Sequence, residues 1–363
     1  MSVRITLTDV ELPPSPRFLE FLDLWLAKVP FDGSNWAVYG KERPARIGGA
    51  LSRSSLIARC GRIGQSEEGM RCLSRAYELF VALMIGDTGA ISEFQSRYRF
   101  IVVVGVPRSG GKYLTKQLLR AIGHQPELVP AVLAHDGFPE AGTWYFDETG
   151  NGWVESLQTM AEYLTMVELY FGEDTPRAGQ VVVPKKATKA VYAAGMFQSV
   201  LGGSGEGIVT LRHPVPACIS TYEAAGGLPA HGRLVQRSTT ERFCARDLIS
   251  AGFDANEVAE MDYFDAYLRY WEQYHLRLAT SDTALTRKYR TVAYGAERFM
   301  EEARWWSTYY GSLNLPVETF HVRDRRDRHP TWMQKAEAPL RRITDYWASV
   351  GLEFPLAEIA EAW

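Results

Sequence analysis

Six residues in the stretch IVVVGVPRSGGKYL, residues 101–114, have the types and spacing to hold an anion. Arg108 and Lys112 bracket Ser109, Gly110 and Gly111, and Tyr113 follows. An apolar run that ends in a glycine-containing turn and opens a helix aims several backbone N–H groups, with the positive end of the helix dipole, at one spot. Arginine adds a planar fork of donors to such a spot, and lysine adds a point charge. The chemistry that follows is the cradling of a phosphate and the stabilisation of charge that develops on its oxygens.

Two common phosphate loops fail on spacing. A P-loop phosphotransferase needs a glycine, four residues and then Gly-Lys-Ser/Thr. Counting back from Gly111-Lys112 puts Val106 where the first glycine belongs, and Tyr113 stands where a hydroxyl would hold magnesium. A dinucleotide turn fits no better, because GVPRSG lacks the second of its three glycines. A second segment, VTLRHPVPACISTY at 209–222, ends an apolar run in Arg212. Its Pro214 suits a first helical turn, and Ser220 sits one to two turns further on.

GVPRSGGKYL resembles the 5'-phosphosulfate loop of sulfotransferases, in which a strand leads into Pro, Arg or Lys, Ser, Gly, two hydroxyl residues, an aromatic and Leu. Pro107, Arg108, Ser109, Gly110, Tyr113 and Leu114 fall on that pattern. Gly111-Lys112 departs from it, since the family carries threonines or serines there, and Lys112 stands in for the lost hydroxyls. Arg212 and Ser220 resemble the family's 3'-phosphate segment, an arginine followed eight positions later by a serine. The resemblance covers residues 99–222; the first 95 residues carry no motif of this kind.

What the resemblance implies is a P-loop-like sulfotransferase fold that takes 3'-phosphoadenosine 5'-phosphosulfate as donor, releases 3'-phosphoadenosine 5'-phosphate and needs no metal. The sulfuryl group would pass in line to an acceptor hydroxyl on a small molecule, a saccharide or a peptide. An acceptor hydroxyl must lose a proton, and related enzymes use a histidine or carboxylate. GHQPELVPAVLAHDG, residues 123–137, offers His124, Glu127, His135 and Asp136. His135 is favoured because its ordinary pKa lies nearest neutrality, with Asp136 as orienter or as the base itself; a His-Asp pair serves equally well as a surface or capping pair. Lys185, in VVVPKKATKAV, resembles the family lysine that approaches the donor's bridging oxygen, and its competitor is Lys186 on the opposite side. Tyr294, in VAYGAERF, loosely resembles a tyrosine near the adenine ring, although core packing accounts for it better. The run Arg323 to Arg328 resembles a basic loop closing over the 3'-phosphate, or else is an exposed, self-paired stretch.

These groups need elements to position them. The continuous β-branched run from Phe100 to Val106 predicts a strand covered on both faces, followed by a helix carrying Leu114, Leu118, Leu119 and Ile122. Runs at Val181–Val183 and Gly207–Leu211 predict two more strands, joined by a helix from 188 to 201 as a βαβ unit with a parallel pair. The expected class is therefore α/β, a central parallel sheet flanked by helices. Residues 1–95 read as a helical N-terminal extension, with Phe18, Phe21, Leu22, Trp25 and Leu26 at helical spacing; 96–363 read as the α/β domain. Helices are expected again around Phe264–Leu278, 297–310 and 335–350. Trp144, Tyr145, Trp153, Trp305 and Trp306 are candidate walls for an acceptor pocket.

Composition narrows the partners. A net charge of −3 over 363 residues lacks the basic footprint of a nucleic-acid binder, so any phosphate site is local. Cys60, Cys72, Cys218 and Cys244 have no CxxC spacing, and four in so long a chain do not make a disulfide scaffold, which points to a reduced, cytoplasmic setting. No run approaches the roughly 18 apolar residues that would span a bilayer. No metal-binding motif is present.

Overall fold

A computed structural model of the chain describes residues 13–31, 53–136, 139, 151–177, 179–192, 194–201, 206–224, 232, 239–280, 289–309, 329–361 and 363. Trp144, Tyr145, the Trp153 side chain and the 323–328 run lie outside the described residues.

Among the described residues, four helices come first. α1 (Pro16–Leu26) begins at Ser15, whose hydroxyl accepts from Phe18 N, with Pro16 in the first helical position where its missing N–H costs nothing. α2 (Arg53–Ile63) leads to α3 (Glu67–Ile85), which has Ser66 as cap, Glu67 and Glu68 in its first turn and Gly86 at φ 71° as its stop. α4 (Thr88–Arg97), capped by Asp87, runs directly into β1 (Tyr98–Val104). Then follow α5 (Gly111–Ala121), the short α6 (Ala131–Ala134), the long α7 (Asn151–Phe171) and β2 (Val181–Lys186). A 3-10 turn at Thr188–Tyr192 joins β2 to α8 (Ala194–Leu201) and β3 (Glu206–Leu211). The rest comprises α9 (Pro214–Ala224), α10 (Thr239–Ser250), α11 (Ala255–Glu260), α12 (Tyr263–Thr280), β4 (Tyr289–Ala293), α13 (Ala296–Tyr309), α14 (Pro330–Ser349) and α15 (Leu356–Glu361).

The four strands form one parallel sheet in the order β2-β1-β3-β4. The expected βαβ unit is present, but β2 and β3 are not neighbours: β1, apolar on both faces, inserts between them, pairing Tyr98–Val103 with Val181–Lys186 and Ile101–Val104 with Glu206–Val209. The expected helix at 188–201 is divided into the 3-10 turn and α8. β4, α7, α10 and α11 carry no counterpart in the sequence expectation.

Strand alternation assigns each side chain to a face. Ile101, Val103, Val182, Ile208 and Val292 pack with Leu114 and Leu118 of α5 and Phe299 and Trp306 of α13. Phe100, Val102, Val104, Val181, Val183, Val209 and Leu211 face the larger core, which includes Tyr163 and Val167 of α7 and Trp271 and Tyr274 of α12. The N-terminal helices share that core: α3 lies along α7, and Arg75 holds Glu168 through two hydrogen bonds of 2.8 and 2.6 Å. α1 is tied to the same helix by Ser15, whose amide and hydroxyl both donate to Glu162.

Candidate functional site

β1 and β3 are adjacent, and the chain leaves them in opposite directions, toward β2 and toward β4. In an open parallel sheet this reversal opens a crevice at the carboxyl ends of the two strands, where ligands settle. The loop after β1 carries Arg108 to Lys112, and the end of β3 carries Arg212, so both basic segments meet at that crevice.

The first loop is tightly determined. Gly105 takes φ 154°, and a Cβ there would fall 2.3 Å from Thr210 Oγ1 on β3. Ser109 Oγ donates to Val106 O at 2.6 Å and lies 2.9 Å from Thr210 Oγ1, which is itself 3.1 Å from Val104 O. The Ser109 hydroxyl, expected as a ligand to the donor, is instead buried and spent on binding the loop to β3. Arg108 has φ 69°, a conformation that costs a non-glycine residue about 1–2 kcal/mol. Gly110 has φ 92°, and a Cβ on it would sit 2.1 Å from the Phe299 ring. Left-handed residues on either side of Ser109 curl the backbone into a concavity, and Gly110 gives the first turn of α5 no side-chain cap.

The second segment is locked to the first. Arg212 Nη1 donates to the Arg108 carbonyl at 2.9 Å, and Arg108 Nε donates to Ser220 Oγ at 3.0 Å. The Arg212 guanidinium also lies 3.9 Å over the ring of Tyr294, and its carbonyl accepts from Trp271 Nε1 at 3.1 Å. Tyr294 follows β4, is half-buried and also lies against Gly110. Core packing therefore does not describe it fully, because it bridges the two basic segments. Tyr113 turns away, its hydroxyl 3.4 Å from Met300 Sδ and its ring stacked on Phe299.

Cations converge on α5. Lys112 is pushed down to about 8, first by burial and then by Lys116, Arg108 and Lys186 around it. Lys186 closes the cradle from β2: a Cβ on Gly111 would lie 3.1 Å from Lys186 Cε. The glycine that departs from the family pattern thus makes room for this lysine. Lys185, one residue earlier, necessarily points to the other face. It is 1% exposed, donates to Val132 O at 3.2 Å and His135 O at 2.9 Å, lies 4.4 Å over the Tyr163 ring, and is driven well below its ordinary pKa by burial. Of the two lysines, Lys186 reaches the loop and Lys185 anchors the segment beneath it.

The expected bases are differently employed. His135 is pushed down to about 3 by burial and then by Lys186, so it is neutral and weakly basic at pH 7. Burial opposes the charge on Asp136, but Lys186, His135 and hydrogen bonds from Lys186 and the Thr188 amide outweigh it and hold the carboxyl at about 2. Asp136 is ion-paired with Lys186, and Thr188 N donates to its Oδ1 at 2.5 Å. His124 pairs with Asp174 at 2.6 Å, and Glu127 pairs with Lys116 and Arg120, both away from the crevice. Sequence reasoning missed Thr210, Thr188, Tyr274 and the bridging role of Tyr294. Their signals are long-range contacts that no local motif carries.

Searched against protein-family models, curated proteins and solved structures, the chain matches none of them. Among the described residues no group of three or more His, Cys, Asp or Glu side chains converges as metal ligands do, and no helix is long and apolar enough to cross a membrane.

Proposed function

We propose that the chain is a sulfotransferase, moving a sulfuryl group from 3'-phosphoadenosine 5'-phosphosulfate to an acceptor hydroxyl by in-line displacement. One observation carries this reading. Arg108 lies more than a hundred positions from Arg212 and Ser220 in the chain, yet the three form one hydrogen-bonded unit beside a concave, uncapped helix start flanked by Lys112 and Lys186. A ligand with phosphates at two positions of one ribose is the anion that such a pair of joined basic segments suits.

The roles follow from charge. Arg212 and Ser220 would hold the 3'-phosphate, and the backbone around Gly110 and Gly111 with Lys112 would hold the 5' side, which fixes the reacting group in orientation. As the bond to sulfur breaks, negative charge grows on the leaving phosphate oxygens, and Lys112 and Lys186 stabilise it more than they stabilise the bound donor. By analogy with phosphoryl transfer, bond formation to the acceptor lags in a loose transition state, so its proton leaves late and a strong base is not required. Asp136 acts in this scheme as the counter-ion of Lys186. A second reading, a nucleotide-binding protein of the same fold without turnover, draws on one observation: His135 and Asp136 both lose their protons far below pH 7, so neither is a strong base there.

Calorimetric titration separates the readings. The purified chain is expected to bind 3'-phosphoadenosine 5'-phosphate tightly, and adenosine monophosphate and ATP with magnesium poorly. Arg212→Ala is expected to cost bisphosphate binding about 2 kcal/mol, the value of a hydrogen bond to a charged group. Binding of ATP alone would turn the assignment to a phosphotransferase. Binding of the bisphosphate without sulfate release from the donor, in the presence of a panel of phenols, sugars and tyrosine peptides, would favour the second reading.

A further inference from the structure

Thr188 opens the 3-10 turn after β2, and each of its polar atoms is engaged. Its amide donates to Asp136 Oδ1 at 2.5 Å, and its hydroxyl accepts from Lys186 Nζ at 2.8 Å while donating to Asp136 Oδ2 at 3.1 Å. Its carbonyl accepts from the Tyr274 hydroxyl at 2.9 Å. Tyr274, fully buried on α12, has a second bond: its hydroxyl accepts from Gly105 N at 3.0 Å, at the first residue of the phosphate loop. An unbroken hydrogen-bonded path therefore runs from Gly105 through Tyr274 and Thr188 to the Lys186–Asp136 pair.

The geometry of this path is not needed to build the sheet. β1 and β2 are already paired from Tyr98 to Val103, and the path begins where that pairing ends. What it fixes is the distance between a loop that surrounds an anion and a lysine that arrives from the neighbouring strand. A flexible four-carbon side chain gains little from electrostatics unless its charge is held where charge will develop. Lys186 is 8% exposed and has two acceptors among the described residues, so its ammonium is held while its stem still faces Gly111.

We infer that Thr188 and Tyr274 are positioning residues, coupling the phosphate loop to Lys186 so that its ammonium is held ready for the leaving phosphate. This catalytic sense rests on the sulfotransferase reading, whereas the coupling itself is a property of the chain that can be measured without turnover. Thr188 acts directly on Lys186. Tyr274 acts through Thr188 and Gly105, the two residues to which its hydroxyl is hydrogen-bonded.

The test is pH-dependent labelling of individual lysines with an N-hydroxysuccinimide ester, read by mass spectrometry on the full chain. The variants are Thr188→Val, Thr188→Ser and Tyr274→Phe, each titrated in parallel with 3'-phosphoadenosine 5'-phosphate. At pH 8, Thr188→Val is expected to raise Lys186 labelling about tenfold, the change expected when a charged group loses one hydrogen-bond partner. Tyr274→Phe is expected to raise it about threefold, the weaker effect of losing a neutral partner one step removed. Thr188→Ser should restore the wild-type rate, and Lys185 should stay unlabelled throughout. Unchanged Lys186 labelling in Tyr274→Phe would overturn the coupling, and so would a parallel rise at Lys185, which would mean general loosening. If the wild-type chain fails to bind the bisphosphate, the sulfotransferase reading and the catalytic sense of the path fall together, whatever the labelling says. If bisphosphate binds and shields Lys186 in the wild type but not in Thr188→Val, both stand.

Discussion

At the scale of single residues the phosphate loop is under two constraints that can be separated by experiment. Gly110 combines a left-handed backbone with a missing Cβ that would strike Phe299 at 2.1 Å. Gly110→Ala is therefore expected to cost about 3 kcal/mol, the sum of ~1–2 for left-handed strain and ~1–3 for overpacking, seen as a lower urea midpoint with loss of bisphosphate binding. Lys112 is a question of charge. Its pKa of about 8 in the free chain comes from burial and from neighbouring cations, and a bound anion would offset that repulsion and raise it. Below pH 8 the lysine is charged with or without ligand, so binding moves no proton at this group. Above pH 8 binding must take one up, and bisphosphate affinity should fall as pH rises, up to about tenfold per unit. Calorimetry at pH 7 and at pH 9 in two buffers of different ionisation heat reads the proton directly; no uptake at pH 9 would put Lys112 out of the anion's reach. The types of these residues were legible in the sequence, but their employment was not. Ser109 reads as a ligand until Thr210, a hundred positions away, is seen to take its hydroxyl.

At the scale of elements, a strand's period of two decides which of two adjacent lysines can act. Val182, Pro184 and Lys186 share the α5 face of β2, and Val181, Val183 and Lys185 share the other. Lys186→Met is expected to weaken bisphosphate binding at least tenfold, since it removes a charge at the loop, and to lower the thermal midpoint as well, since it leaves the largely buried Asp136 carboxylate without its ion-pair partner. Lys185→Met should differ in affinity: bisphosphate affinity within about threefold of wild type, with a stability loss of about 1–3 kcal/mol, because the Val132 and His135 carbonyls lose their donor. Equal effects on affinity from both variants would contradict the alternation. The same period shows why some elements could be read and others could not. β1, β2 and β3 are apolar runs covered on both faces, a pattern visible without neighbours. β4 has Arg290 and Thr291 exposed, so it lacks the run, and Tyr294 beyond it reads as core packing until its stacking under Arg212 is seen. α7 buries Ser156, Thr159, Glu162 and Thr165 on faces that an amphipathic helix would leave apolar, and Glu162 accepts from Ser15, 147 positions earlier, as well as from Gln158 on its own helix. Adjacency in the sheet was likewise hidden, because chain order alone does not say that β1 separates β2 from β3.

At the scale of the molecule, the N-terminal helices bear on whether the α/β part can stand without them. A division at residue 95 cuts α4 within its last turn, just before β1, where Phe94 stacks on Tyr98 at 4.7 Å and continues toward Phe100 at 6.2 Å. Phe18, Leu19, Leu22, Leu79, Ile91 and Phe94 are all buried in the core that also holds Tyr163, Phe171 and Val181. At about 1.5–3 kcal/mol for each buried side chain, removing these six forfeits on the order of 10 kcal/mol. A domain's net stability is roughly 5–15 kcal/mol, so that loss is comparable to the whole. Truncation also strips Glu162 and Glu168 of Ser15 and Arg75, leaving two partly buried carboxylates on α7 without those partners. A chain of residues 96–363 is therefore expected to lose cooperative urea unfolding and bisphosphate binding together, while the full chain unfolds in one transition by both fluorescence and circular dichroism. The two losses are linked because α7 lies under the loop's supports: Tyr163 donates to Leu133 O at 3.0 Å and carries Lys185 over its ring, and Lys185 in turn holds the segment that ends in Asp136. Were the truncated chain to fold cooperatively and bind with unchanged affinity, the first 95 residues would be a detachable cover, and the support of Asp136 and Lys186 would have to come from the sheet alone.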